Sequence, residues 1–319
     1  MKILFIGIGS IAKKHIAALQ HLGIECDISA LRSSRYSKDY EGINNIYSYD
    51  DIGNKNFDFV IISNPTSKHE EAIRRLLKYN LPLFIEKPLF SNIDNNEDLV
   101  LEATKCRIPT YVACDMRFMD CLVYLHDYIV SHKKRNVNEV NVYCGSYLPE
   151  WRPGTDFRKC YSAIPELGGG VHLDLIHDLD YVYWIFGNPE SSRAIWRNNS
   201  TLNIRSIDYA NYNLIYPNFC VNIILNYYRR DYKRTMEIVF DDGTWIVDMA
   251  KNVITDEIGN VIFQSHQSWL DEFSSQMQYF LNLTHGKIDH PINNINEAYN
   301  VLKICFNHEN ISNRSRLNG

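Results

Sequence analysis

Along the first 120 residues, short continuous apolar runs alternate with longer stretches whose apolar positions recur every three or four residues. Continuous runs suit strands buried on both faces, and the longer period suits helices laid over them, so the pattern predicts βαβ units feeding a parallel sheet. The expected strands are Lys2–Ile6, Asp27–Leu31, Phe57–Ser63, Leu83–Glu86 and Thr110–Cys114. The expected helices are Ile11–Leu22, closed by Gly23 at a C-cap position, His69–Tyr79 and Asn95–Lys105. Beyond residue 120 the rhythm changes to alternating, tyrosine-rich strands at Val137–Leu148, Ser191–Arg197, Ile207–Tyr216, Cys220–Tyr228 and Thr235–Phe240, with Asp241-Asp242-Gly243 as a hairpin turn. Strands that follow one another without helices imply an antiparallel or mixed sheet. Two helices, Trp269–Leu283 and Asn296–Phe306, close the chain. The expected fold is therefore α/β, with a doubly wound parallel sheet over 1–120 and an α+β domain carrying a large open, mainly antiparallel sheet over 121–319.

Composition narrows the function classes. The 319 residues are 45% hydrophobic and 22% charged, with a net charge of -5, values of an ordinary folded two-domain protein. The densest basic cluster, Lys133-Lys134-Arg135, reads as a solvated helix end, so nucleic acid is not an expected partner. The apolar run of Met1-Lys-Ile-Leu-Phe-Ile-Gly7 is too short for a signal peptide, and no segment approaches the roughly 20 apolar residues of a membrane span. Eight scattered cysteines without a Cys-x-x-Cys pair suit reduced thiols in the cytoplasm rather than disulfides or a zinc site.

Candidate chemistry begins at Gly7-Ile-Gly9-Ser10-Ile11-Ala12, which follows the first strand at once and opens the first helix, the context a dinucleotide fingerprint requires. The second strand ends in Leu31-Arg32-Ser33-Ser34-Arg35, where an NAD-binding chain would place an acid for the ribose hydroxyl. Asp27, the nearby acid, sits at the start of that strand. Two arginines and two serines suit a 2′-phosphate, so the expected cofactor is NADP rather than NAD. Asn64, Pro65, Thr66 and His69 form a capped turn after the third strong strand and are expected to line the cofactor's path.

Glu86-Lys87-Pro88 puts a lysine where a strand stops, on the edge where ligands of open α/β sheets gather. The proline holds Lys87 away from helical geometry. In the second domain, Gly168-Gly-Gly-Val-His172-Leu-Asp174-Leu-Ile-His177-Asp178-Leu-Asp-Tyr181 leads into a helix. At about 100° per residue Asp174, His177, Asp178 and Tyr181 share one face, either a solvated stripe or a carboxylate beside an imidazole suited to moving a proton. His172 falls among the leucines and reads as structural. No third ligand at suitable spacing makes this a metal site.

These three ordered motifs resemble the Gfo/Idh/MocA oxidoreductases over nearly the whole chain. The resemblance implies a Rossmann domain binding a nicotinamide dinucleotide through Gly7, Gly9, Ser10, Ile11, Glu86 and Lys87. It implies that Lys87 and His177 act on a reacting hydroxyl or carbonyl, that Asp174 orients substrate, and that dimers or tetramers form through the second sheet. A narrower resemblance, over Gly145–Ser162 with Trp151, Arg152, Arg158 and Tyr161, is to a subgroup associated with bacterial surface sugars such as nonulosonic acids. There Arg152 and Arg158 would clamp a carboxylate or phosphate, or be held by internal salt bridges. Asp115-Met-Arg117-Phe118 stands where many relatives have Asn-x-Arg-Phe, which would bring Arg117 to substrate. The expected activity is interconversion of a secondary alcohol and a ketone on a sugar, nucleotide sugar or sugar acid. The alternatives are a non-catalytic NADP-binding regulator or a reductase of the biliverdin reductase type.

Overall fold

The computed structural model describes residues 1–36, 39–53, 55–131 and 135–307, so Lys133 and Lys134 of the basic cluster lie outside it. Two compact units result, Met1–Met119 with His266–Leu302, and Asp120–Ser265 with the segment from Lys303 onward.

The first unit opens with β1 (Lys2–Ile6), α1 (Ser10–His21), β2 (Asp27–Leu31), β3 (Ile43–Ile46), β4 (Phe59–Ile62), α2 (His69–Leu76), β5 (Leu83–Glu86), α3 (Glu97–Lys105) and β6 (Thr110–Ala113). All six strands run parallel in the order β3-β2-β1-β4-β5-β6. Ile3, Leu4, Phe5, Phe59, Val60 and Ile61 are wholly buried, as the unbroken apolar runs require of strands covered on both faces. The predicted strands and helices of this unit form with ends shifted by at most two residues, apart from α2, whose last turn tightens into a 3-10 turn at Leu77–Tyr79. β3 was not predicted, because Asn44-Asn45 in a four-residue edge strand interrupts any apolar signal.

The second unit holds α4 (Asp120–Ser131), β7 (Val137–Tyr147), α5 (Val171–Asp174), α6 (His177–Phe186), β8 (Ser191–Arg197), β9 (Tyr209–Ile215), β10 (Cys220–Asn226), β11 (Tyr228–Phe240), β12 (Gly243–Asp248), β13 (Val253–Asp256) and β14 (Val261–Gln264). Its sheet has the order β14-β13-β12-β11-β7-β10-β9-β8 and is antiparallel except between β7 and β10. The hairpin at Asp241-Asp242-Gly243 joins β11 to β12 as its sequence predicts.

The chain closes with α7 (Trp269–Thr284) and α8 (Ile295–Phe306). Ser268 and Asp271 form a reciprocal capping box that starts α7. The expected division placed all of 121–319 in the second domain, whereas His266–Leu302 packs with the first unit. The cause is the stripe Phe273, Met277, Phe280 and Leu281, which covers the same core as Phe59, Phe84 and Tyr111. The Phe280 ring stands edge-on to Phe59 and to Phe84 with centroids 5.2 Å apart in each case.

Candidate functional site

In the first unit, the carboxyl ends of neighbouring strands assemble most of the predicted cofactor residues. Strand order reverses between β1 and β4, the place where ligands enter such sheets. Gly7 turns out of β1 with φ +88°, its amide donating to the Leu31 carbonyl at 3.2 Å and its carbonyl accepting from the Ser63 hydroxyl at 3.0 Å. A Cβ here would press on the Asn64 backbone at 3.1 Å, so this turn admits glycine on both counts. Gly9 caps α1 and has nothing within 4 Å of where a Cβ would stand. No side chain caps this helix, and Asn64 Oδ1 is buried without a hydrogen-bond partner among the described residues. Open space before uncapped helix amides and a waiting amide oxygen fit a dinucleotide whose phosphates rest on Gly9, Ser10 and Ile11.

Arg32 leaves the end of β2 with its Nη1 donating to Asn45 Oδ1 at 2.9 Å and its guanidinium over the Tyr40 ring. Lys13 lies over the same ring, and Arg35 over Tyr47. Ser33 and Ser34 are exposed beside them. Asp27 pairs in register with Lys2 at the opposite end of β2, away from the glycine turn.

Two predicted cofactor residues have inward tasks. His69 is buried, with Nδ1 3.1 Å and 3.2 Å from the Pro88 and Leu89 carbonyls and Nε2 3.0 Å from the Asn64 carbonyl. It braces the two turns of the edge and does not line them. Glu86 is buried against Nε2 of His15. Lys87 follows it, half-buried.

Burial holds His69 below the usual histidine range, with the Asn64 carbonyl, the Glu86 charge and the Leu89 and Pro88 carbonyls pulling back in part. The unfolded chain therefore gains a proton near pH 6.5 that the folded chain refuses until lower pH. Since the unfolded state then binds more protons, stability falls as pH drops below about 6.5, by at most about 1.4 kcal/mol per pH unit from this residue. Urea unfolding between pH 7.5 and 5 should show a shallower decline for His69→Gln than for wild type; equal slopes would exclude His69 as the source.

Arg117 departs from its expected place at the substrate. Its side chain is fully buried, with Nη1 donating to Glu297 Oε1 at 2.8 Å and Nη2 3.4 Å from Asn293 Oδ1. It ties the Asp115–Phe118 turn to the start of α8, inside the first unit.

In the second unit, the helix predicted through Asp174 and His177 is two helices. Leu175, at φ -100° and ψ 27°, breaks it between α5 and α6, so one wheel does not describe both sides. No face is solvated either. Asp174, His177, Asp178, Asp180 and Tyr181 are all buried. His172 packs against Trp196 and Phe306, as its place among the leucines suggested.

The Asp174 carboxylate accepts the Tyr161 hydroxyl at 2.8 Å and the Tyr227 hydroxyl at 2.5 Å. Burial first, and then the Asp174 charge, raises both phenols above their usual range, so they remain donors. Gly169 makes the approach possible, because a Cβ there would stand 2.1 Å from the Tyr161 carbonyl. Trp151 meets the Tyr227 ring edge-on at 5.4 Å and donates Nε1–H to Ser146. Arg152 lies over the Tyr161 ring at 5.0 Å. Burial works against its charge, while Cys160, Tyr161 and Asp174 outweigh that. Among the described residues no carboxylate forms an ion pair with Arg152 or Arg158. Internal salt bridges do not hold this loop, and Arg158 lies apart, over Phe157.

Trp151, Arg152, Tyr161 and Asp174 thus form one cluster, together with Tyr227. Nothing in the sequence marked Tyr227, a tyrosine just past β10 among many tyrosines. Asp178 belongs to a separate structural network: it accepts Nε and Nη2 of Arg234 at 3.2 Å and 2.6 Å and the Tyr181 hydroxyl at 2.6 Å. Among the described residues, no group of three or more His, Cys, Asp or Glu could hold a metal, and no helix is long and apolar enough to cross a membrane.

Comparison with known proteins agrees with this layout. A model of the Gfo/Idh/MocA oxidoreductase family, NAD-binding Rossmann fold, matches residues 1–112, and one of the Gfo/Idh/MocA C-terminal domain matches residues 136–246. The myo-inositol 2-dehydrogenase of Thermotoga maritima is 24% identical over 278 residues, covering 82% of this chain and 80% of that protein. The WlbA dehydrogenase from Bordetella pertussis, in complex with NADH and UDP-GlcNAcA, superposes with a TM-score of 0.79 at 17% identity, over 95% of this chain and 92% of that one. The UDP-N-acetylglucosamine 3-dehydrogenase GnnA from Acidithiobacillus ferrooxidans gives 0.74 at 18% identity, over 96% and 95%. At such identities the structural likeness speaks to the fold.

Proposed function

The chain belongs to the Gfo/Idh/MocA family of NAD(P)-dependent oxidoreductases, and we propose that within it this protein uses NADP(H) to interconvert a secondary alcohol and a ketone on a sugar, nucleotide sugar or sugar acid. The observation that carries the reading is Lys87 at the carboxyl end of β5, on the sheet edge that also holds Gly9 and Asn64 where strand order reverses. A lysine at that position supports the reading, because ligands of such sheets gather outside the carboxyl ends of their strands.

In this reading Gly7, Gly9, Ser10 and Ile11 take the pyrophosphate, and Asn64, Pro65 and Thr66 flank its path. Arg32, Ser33, Ser34 and Arg35 take the 2′-phosphate. The dinucleotide, when bound, supplies or removes hydride at the carbinol carbon. Lys87 polarises the substrate oxygen and lowers its proton affinity, and His177 exchanges the proton. Asp174, fixed in direction by two phenolic donors, orients the substrate. Arg152, over the Tyr161 ring in the Asp174 cluster, suits an anionic substituent, and Arg158, over Phe157, adds a second guanidinium on the same loop. This fits the surface-sugar subgroup, whose place is glycan biosynthesis; one structural relative is named for a UDP-sugar and another is in complex with one. Assembly as a dimer or tetramer goes through the eight-stranded sheet, where Ile195, Tyr232 and Ile246 are exposed.

The NADP preference has a direct test. Removing a charged hydrogen-bond partner of the 2′-phosphate costs about 1.5–3 kcal/mol, or roughly 10–150-fold in affinity. Arg32→Ala should therefore weaken NADPH binding by that factor while moving NADH binding little, as read by nucleotide fluorescence titration. Equal losses for both nucleotides, or a wild type that prefers NADH, would overturn it.

A further inference from the structure

Buried histidines from two other elements brace the backbone on both sides of Lys87. On the N-terminal side, Glu86 is 7% exposed and its Oε1 meets Nε2 of His15, which is 0% exposed in α1. The His15 ring stands edge-on to Phe84 at 4.8 Å and lies against Phe273 at 5.5 Å, so packing fixes its plane. Its other nitrogen, Nδ1, is buried with no hydrogen-bond partner among the described residues. The neighbouring inward positions of α1 are Ala12, Ala18 and Leu19. An apolar side chain at position 15 would pack there without an orphaned nitrogen, whose desolvation is costly. What the imidazole provides in exchange is one hydrogen bond, to Glu86.

On the C-terminal side, His69 at the start of α2 faces the carbonyls of Pro88 and Leu89 with one nitrogen and the Asn64 carbonyl with the other. Pro88 and Leu89 are themselves buried. Glu86, Pro88 and Leu89 are thus held from below, and Lys87 is the half-exposed residue between them. Because α1 begins at the Gly9 cap, the same helix that fits the phosphates also carries His15 to Glu86.

We propose that His15 is a positioning residue for Lys87, acting through Glu86, with His69 as the second brace. This rests on the reading of Lys87 as the polarising group, yet its test needs no substrate and no turnover. The full-length protein is acylated with trace acetic anhydride at about pH 8, and each lysine is quantified by peptide mass spectrometry, with exposed Lys105 and Lys159 as internal standards. His15→Leu should raise Lys87 acylation by roughly threefold or more, because the backbone that aims the amine is no longer held. His15→Gln, whose amide can still donate to Glu86, should return it close to wild type. A folded His15→Leu with unchanged Lys87 acylation overturns the proposal, and so does failure of His15→Gln to restore it. If His15→Leu does not fold, judged by circular dichroism, His15→Asn replaces it, being polar but too short to reach Glu86. Absence of any dehydrogenase activity would count against the proposed function and leave this comparison intact.

Discussion

Lys87→Ala should lower turnover by about 10²–10⁴-fold, the range over which a positioned acid, base or polarising group acts, while changing the dissociation constant for NADPH only a few-fold. The lysine stands after β5, and the residues proposed for the phosphates come from the turns after β1 and β4, so the two losses should separate. His177→Ala should lower kcat by roughly 10²-fold or more if it exchanges the proton. The measurement is steady-state NADPH absorbance against a panel of keto-sugars, nucleotide sugars and sugar acids, beside a nucleotide titration. Near-normal turnover in Lys87→Ala would remove it from the chemistry. Near-normal turnover in His177→Ala alone would move the proton to Lys87.

The largest expected effect on stability is at Asp178. Its carboxylate is wholly buried and receives two bonds from Arg234 and one from Tyr181. Asp178→Ala leaves a guanidinium of 12% side-chain exposure without its counter-charge, a loss of about 3–5 kcal/mol. Asp178→Asn should cost less, because the amide oxygen still accepts a donor. The double change Asp178→Ala with Arg234→Met should recover much of the loss, since it is the orphaned charge that is expensive. Urea denaturation of the three variants decides it. A double variant no more stable than Asp178→Ala would mean that shape, not charge, holds this part of the second unit.

Glycine spacing, strand ends and the proline after Lys87 are local signals, and through them the first unit's edge was legible in the sequence. What the sequence concealed were contacts between residues far apart in the chain. A helical wheel treats Asp174 and His177 as positions on one cylinder, yet the helix breaks at Leu175 between them, and both side chains are buried where a solvated face was one reading. One of the two tyrosines that fix Asp174, Tyr227, comes from 53 residues further on. Arg117 read as a substrate residue from its motif, while its partner Glu297 lies 180 residues away. A histidine on the inward face of α1, among alanines and a leucine, was the one such feature that a polar residue at a core position could have flagged. The stripe of α7 declared an amphipathic helix, but periodicity names no partner.

The chain completes its first unit only with His266–Leu302, which supplies Phe280 to a face made by Phe59 and Phe84. A nascent chain leaving the ribosome therefore cannot complete its dinucleotide-binding half until some 150 intervening residues have emerged. Contacts this distant in sequence close slowly and leave apolar surface exposed in the meantime. A fragment ended near residue 120 would keep every residue of the glycine turn and the Lys87 strand while lacking the helix that roofs them. It should be recovered as an aggregate or bound to chaperones, not as an autonomous nucleotide binder.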